Sequence, residues 1–401
     1  MQLQKNINID GTIFQKVNSE LYICENSCIT DCRRLAIRAS SLDKLRGCID
    51  KCKSKKNSNY IYEGNGDAIS KIIFVYSGMG GNWPGMGQSL FVQNPIFKKA
   101  IYECDKILSQ FSSWSIINEI LKSVNTSRIC KTKYAQVCLF AFQYALTKVW
   151  KSYGIYPDAV IGHSYGETYS FYESGVYTLE DALWISYIRG ALQQDIEGNG
   201  IMVYVRCNKE IIQSIINEIK GEISIAAING PNSLIVSGSN DCMAFFLKSI
   251  ADLEIYHKTL PVEVPYHSSL VTKMLNSLKR EIAHVTVKRN ELLLFSSVTG
   301  ELVTENELNL DYIIDNTIKV VEFEKAILSI LKNGFDTFLE IGAHPLLINN
   351  INEISAENNY KSNIFYSIQR NKNELKTIED NLCKLFCCGA EVNWGNINSG
   401  K

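Results

Sequence analysis

Ala159-Val160-Ile161-Gly162-His163-Ser164-Tyr165-Gly166-Glu167 is the stretch on which the reading turns. The apolar run Ala159–Ile161 predicts a short strand. Gly162 to Gly166 spell G-x-S-x-G, and a helical segment follows. A strand that turns this sharply into a helix has no room for side chains at the glycine positions. It pushes the serine hydroxyl out at the carboxyl edge of the sheet. Ser164 is therefore the candidate nucleophile, and it needs a base.

Working outward, Ile72–Tyr76 (IIFVY) reads as a second apolar strand, running into the glycine-rich loop Ser77–Gly87. Backbone N–H groups near a serine nucleophile form an oxyanion hole, so Met79 and Tyr165 are the candidate donors. The loop lacks the G-x-x-x-x-G-K-[ST] ending of a phosphate cradle. Tyr134–Tyr153 predicts a buried helix. Thr178-Leu179-Glu180-Asp181 opens another, with a capping pattern, that runs to about Gln193. Leu292–Ser296 and Thr337–Ile341 look like strands returning to the same sheet.

Residues 199–264 have a different grammar. Ile201–Arg206 alternates like a strand, Lys209–Lys220 is helical, and Ile223–Ile228 and Ser233–Ser237 flank a turn. Asp241–Leu253 is helical and Ile255–Val264 is extended. The order β-α-β-β-α-β is that of a ferredoxin-like unit. In residues 1–70, Arg34–Ser40 reads as a strand, Ser41–Lys53 as a helix with a serine cap, and Lys53–Asp67 as a polar linker. The fold class is α/β: a large α/β-hydrolase-like subdomain (71–198 and 265–390), an inserted ferredoxin-like subdomain (199–264), a linker-like N-terminal piece (1–70) and a tail (391–401).

Composition narrows the function classes. Of 401 residues, 46% are hydrophobic and 21% charged, an ordinary globular balance large enough for a substantial core. Lys+Arg 41 against Asp+Glu 42 gives no polyanion-binding bias, so no nucleic acid partner is expected. The longest apolar stretch, Val137–Trp150, contains Gln143 and Lys148 and falls short of the ~20 residues of a membrane span. The N-terminus has no apolar signal region, and the location expected is cytoplasmic. Thirteen cysteines include Cys24, Cys28 and Cys32 at every fourth residue, but no C-x-x-C pair, and no histidine precedes His163. They read as reduced packing residues, with no metal site.

The five histidines are His163, His257, His267, His284 and His344. His163 neighbours the serine, and neighbours at an elbow point apart. His267 lies in Val264-Pro265-Tyr266-His267-Ser268, where the small unit hands the chain back to the large one. His344 in Ile341-Gly342-Ala343-His344-Pro345 follows a strand. Position alone leaves both open as the base.

Taken together, Phe74–Gly87 (FVYSGMGGNWPGMG), IGHSYGE, Ala227–Gly238 (AINGPNSLIVSG), VPYHS, Phe295–Glu301 (FSSVTGE), Asp311–Phe323 and Phe338–Leu347 (FLEIGAHPLL) resemble the malonyl-CoA:acyl carrier protein transacylase family. Nearest in pattern are the acyltransferase domains of polyketide synthases and animal-type fatty acid synthases. The resemblance runs from about Lys71 to Trp394. It implies that Ser164 is acylated by an acyl-CoA substrate and that His267, not His344, is the base. The acyl group then passes to the phosphopantetheine thiol of a partner acyl carrier protein, with no bound cofactor. Arg189, in this family, grips the free carboxylate of malonyl-type substrates. Gln136, Asn229 and Asn316 match positions near the pocket. Tyr266 stands in the specificity loop, where a bulky aromatic before the histidine favours malonyl over branched units. Asn82 before Trp83, and Tyr165 after the serine, depart from the usual residues.

Two arrangements are expected as alternatives: a discrete enzyme serving a ketosynthase or synthase module in trans, or a domain excised from a synthase. A hydrolase that strips acyl groups shares the elbow, but Arg189 argues for a carboxylated substrate. A non-catalytic docking module would have lost Ser164 or His267, and both are present.

Overall fold

The computed structural model describes residues 6–9, 12–25, 33–56, 58–66, 69 and 71–398. Three sheets organise them. The first is antiparallel, with β1 (Asn6–Ile9), β2 (Thr12–Lys16), β3 (Leu21–Glu25), β4 (Arg34–Arg38) and β5 (Ile61–Gly64) in sequence order. The helix Leu42–Lys53 covers it, capped where expected: the Ser41 side chain accepts from the Lys44 N–H. Leu45, Ile49 and Cys52 pack with Phe14, Tyr22, Leu35 and Ile37 into a core of its own.

This sheet corrects two expectations. Residues Lys53–Asp67 are not simply a linker, because β5 lies within them and pairs with β4. Three strands also precede Arg34, where none was predicted. All are four or five residues long, and their apolar positions are scattered among Asn, Lys and Glu, so no period stands out. The sheet is bolted to the body through the helix Glu374–Cys388. Arg38 bridges Glu379 at 2.7 Å and Asp380 at 2.6 Å, and Arg34 Nη1 donates to the Ala390 carbonyl at 2.9 Å.

The main sheet is parallel throughout. It begins with β6 (Ile72–Tyr76) and β7 (Ala159–Gly162). The chain then builds a second sheet from β8 (Gly200–Val205), β9 (Ile223–Gly230), β10 (Ser233–Ser239) and β11 (His257–Thr259), before returning with β12 (Leu293–Phe295), β13 (Thr337–Ile341) and β14 (Asn363–Tyr366). The main order is β12-β7-β6-β13-β14. Every residue of β6, β7 and β13 is buried, as strands covered by helices on both faces require. Register sets Tyr76 beside Gly162 and Ile341, so the loops leaving β6, β7 and β13 emerge side by side at the carboxyl edge. Ligands of parallel sheets bind at that edge.

The second sheet has the order β11-β8-β10-β9, all antiparallel, with helices Lys209–Glu218 and Asn240–Asp252 packed on it. Ile212, Ile216, Met243 and Phe246 close a core separate from the main one. β11 is shorter than the extended run expected over Ile255–Val264. Pro261 has no N–H for the ladder, and the pairing stops after the Leu260 N–H reaches the Met202 carbonyl at 2.9 Å. A pair of backbone bonds at Val321 helps stitch this sheet to the body: Ile228 N–H to Val321 carbonyl (2.8 Å) and Val321 N–H to Ala226 carbonyl (3.0 Å).

Cys104, Cys138, Cys242 and Cys383 are buried among apolar neighbours, whereas Cys130 is exposed; Cys28 and Cys32 fall outside the described residues. Among the described residues, no helix is long and apolar enough to cross a membrane, and no group of three His, Cys, Asp or Glu could hold a metal ion.

Candidate active site

The elbow is built by close approach of backbone. A Cβ on Gly162 would sit 2.2 Å from the Glu167 nitrogen, and one on Gly166 would sit 2.1 Å from the Tyr76 carbonyl oxygen. Ser164 itself adopts φ 54°, the left-handed region, and the helix Gly166–Glu173 starts two residues later. The loop after β6 lies against this turn: a Cβ on Gly78 would be 2.6 Å from the His163 carbonyl oxygen. Gln143 Nε2 pins the loop's start by donating to the Ser77 carbonyl at 2.7 Å. Among the described residues, the Met79 and Tyr165 N–H groups donate to no acceptor.

His267 arrives from the return strap after the second sheet, also with a left-handed φ of 55°. Its Nε2 lies 2.6 Å from Ser164 Oγ, and its Nδ1 lies 2.8 Å from the Lys319 carbonyl oxygen. A carbonyl can only accept, so Nδ1 carries the proton and Nε2 accepts from the serine hydroxyl. Burial first, and then the Arg189 charge, push the His267 pKa down to about 3. His267 is therefore neutral at ordinary pH. The sign for stability follows: the folded chain binds fewer protons here than the unfolded one, so this contribution is full above the unfolded value and lost as pH falls toward 3.

His344 does not reach the serine. Its Nδ1 accepts from the Arg370 N–H at 3.3 Å. His163 lines the same cavity as Ser164, and its ring bonds elsewhere. Its Nε2 meets Asn229 Oδ1 at 2.6 Å, joining the elbow to the end of β9, and its ring stands edge-on to Phe323.

A cavity of about 280 Å³ opens in front of Ser164 and His267. Met79, Asn229 and Tyr266 line it with them, and Met202, Leu260 and Leu347 make its walls mostly apolar. The Tyr266 hydroxyl is tied to Thr132 Oγ1 at 2.7 Å. Gln136 is not on this surface. It is buried behind Tyr165, whose hydroxyl donates to the Gln136 carbonyl at 2.6 Å, and its side-chain amide donates to Gln193.

Arg189 is also set back. It is 2% exposed, with its guanidinium 5.7 Å from the Tyr165 ring centroid. Nη1 donates to Asn316 Oδ1 at 2.6 Å, and Nε has no hydrogen-bond partner among the described residues. Burial pushes its pKa down to about 10, so it stays charged near neutral pH.

Two acids were not singled out by sequence reading. Burial raises Glu167 to about 7, opposed by donors from Ser297, Tyr312 and Asn316. Glu340, also raised to about 7 by burial, accepts from the Leu346 and Leu347 N–H groups and so shapes the loop that forms one cavity wall. Both stand inside quoted motifs, but their partners are remote in sequence.

The acyl transferase domain family model matches residues 73–392. The chain is 27% identical over 370 residues to mycoketide-CoA synthase of Mycobacterium tuberculosis, covering 92% of this chain and 9% of that protein. It is 30% identical over 342 residues to reducing polyketide synthase PKS1 of Cochliobolus heterostrophus, covering 82% of this chain and 14% of that protein. It thus spans a small fraction of the length of these curated relatives. Among solved structures, the acyltransferase domain from module 8 of the salinomycin polyketide synthase shares the fold, with TM-score 0.85 and 24% identity over 90% of this chain and 86% of that one. A loading acyltransferase from the avermectin modular polyketide synthase is 27% identical, with TM-score 0.74 over 78% of this chain and 99% of that one.

Proposed function

The chain belongs to the acyl transferase domain family, and from that premise we propose that it moves a malonyl-type unit from coenzyme A to the phosphopantetheine thiol of an acyl carrier protein. The observation that carries this reading is the 2.6 Å contact between Ser164 Oγ and His267 Nε2, with Nδ1 held on a backbone carbonyl. His267 Nε2 takes the hydroxyl proton as Ser164 Oγ attacks the thioester carbon. The oxyanion accepts from the Met79 and Tyr165 N–H groups. Collapse breaks the C–S bond, and the departing thiolate takes the proton back from Nε2. The carrier thiol then repeats the sequence in reverse on the acyl ester.

Arg189 is the group for the substrate's free carboxylate. A buried guanidinium with an unpartnered Nε favours an incoming anion. A carboxylate seated there also offsets the charge that depresses His267, raising the basicity of the base in the complex. We take residues 199–264 as a ferredoxin-like insertion in a hydrolase-like body; the strand order β11-β8-β10-β9 supports that description.

The test is intact-protein mass spectrometry after mixing with malonyl-CoA, with and without a phosphopantetheinylated carrier protein. A malonyl mass on the Ser164 peptide that moves to the carrier is expected; free malonate released without carrier would replace this reading by hydrolysis. Arg189→Ala should lower the malonyl-to-acetyl loading ratio by roughly 10–100-fold, the loss expected for a charge-assisted pair. An unchanged ratio would refute the carboxylate role. Loading at sub-saturating malonyl-CoA should show no acid limb from His267 between about pH 8 and about pH 5. Glu167, raised to about 7, titrates in the same window, so an inflection near the ordinary histidine value that persists in Glu167→Gln, in stopped-flow measurements across that range, would contradict the buried neutral base.

A further inference from the structure

Asn316 sits where three requirements meet. Its Nδ2 donates to the Ser164 carbonyl oxygen at 3.1 Å and to Glu167 Oε2 at 2.6 Å, and its Oδ1 accepts from Arg189 Nη1 at 2.6 Å. The amide therefore has one workable orientation. Turned over, its oxygen would face a carbonyl and a carboxyl oxygen, and its NH₂ would face a guanidinium. Glu167 is fixed in turn by donors: the Ser297 N–H at 2.5 Å and the Tyr312 hydroxyl at 3.0 Å to its two oxygens. Asn316, Glu167, Tyr312, Ser297 and Arg189 are all buried, so water does not compete for these bonds.

We infer that Glu167 and Asn316 are positioning residues for the substrate carboxylate, acting through Arg189 while leaving its Nε unpaired. A carboxyl placed directly against the guanidinium would occupy the fork that the substrate needs. Interposing one amide aims the fork with a neutral acceptor instead. The same amide holds the carbonyl of Ser164, so the receptor and the nucleophile are referenced to one side chain. This rests on the reading of Arg189 as the carboxylate receptor.

The experiment measures KM and kcat for malonyl-CoA and acetyl-CoA on the full chain. In Glu167→Gln, an NH₂ can face Asn316 and turn its amide over. The expected result is a malonyl KM raised about tenfold, with the malonyl-to-acetyl ratio of kcat/KM lowered to match. Asn316→Ala should lower the ratio similarly. Neither change should lower it further when Arg189→Ala is already present. Equal losses for both acyl-CoAs, or a ratio shift that persists in the Arg189→Ala background, would overturn the inference. If Glu167→Gln does not fold, as judged by its melting curve, Asn316→Ala decides the matter alone. An unchanged ratio in Arg189→Ala by itself sinks the receptor reading. A shift there, with none in Glu167→Gln and Asn316→Ala, sinks only the positioning roles.

Discussion

Ser164→Ala stops acyl transfer, with a fall on the order of 10⁴-fold or more in loading from malonyl-CoA. The hydroxyl is the only group at the elbow within bonding distance of His267 Nε2. Removing it leaves the oxyanion donors and the cavity but no atom to carry the acyl group. The change keeps Cβ, so the left-handed turn at φ 54° meets no new contact, and the melting temperature should stay near that of the parent. The measurements are single-turnover loading and the mass of the Ser164 peptide. Retention of a tenth of the parent rate would show that another nucleophile carries the reaction.

Gly162→Ala should destabilise the fold strongly. Its new methyl would lie 2.2 Å from the Glu167 nitrogen and 2.3 Å from the Gly166 carbonyl carbon, both backbone atoms of the turn. Overpacking usually costs about 1–3 kcal/mol, and a site with no flexible side chain to give way belongs at or above the top of that range. Gly80→Ala is the comparison. Gly80 has φ 108° but open space around its Cβ position, so only conformational strain, about 1 kcal/mol, opposes it. Denaturant melts of the two variants should separate clearly. Equal midpoints would mean that the turn is not packed as described.

How far the letters revealed the molecule depended on how local each cause was. The elbow was legible because its requirement for glycine arises within five residues, from the turn itself. β6 and β13 were legible because strands buried on both faces must be apolar throughout. The base was harder. Ser164 and His267 meet across two sheets, and nothing local separates His267 from His344. Glu167 was visible as a letter, but its burial depends on Ser297 and Tyr312, which arrive on later segments. Gln136 shows the converse: the position matched a pattern, yet tertiary packing turned its amide to Gln193. The N-terminal sheet was illegible because its strands are too short to show a period. What orders them is contact with one another and with the helix Glu374–Cys388.

The bond from His267 Nδ1 to the Lys319 carbonyl has a consequence for inheritance. Every residue type has that carbonyl. Its location is set by the course of the chain, between Asn316 at the elbow and Val321 paired with β9. A change of side chain at 319 that keeps its N–H on the Asp315 carbonyl is expected to leave the acceptor in place, whereas gaining or losing one residue between 316 and 321 is expected to remove the partner that orients the base.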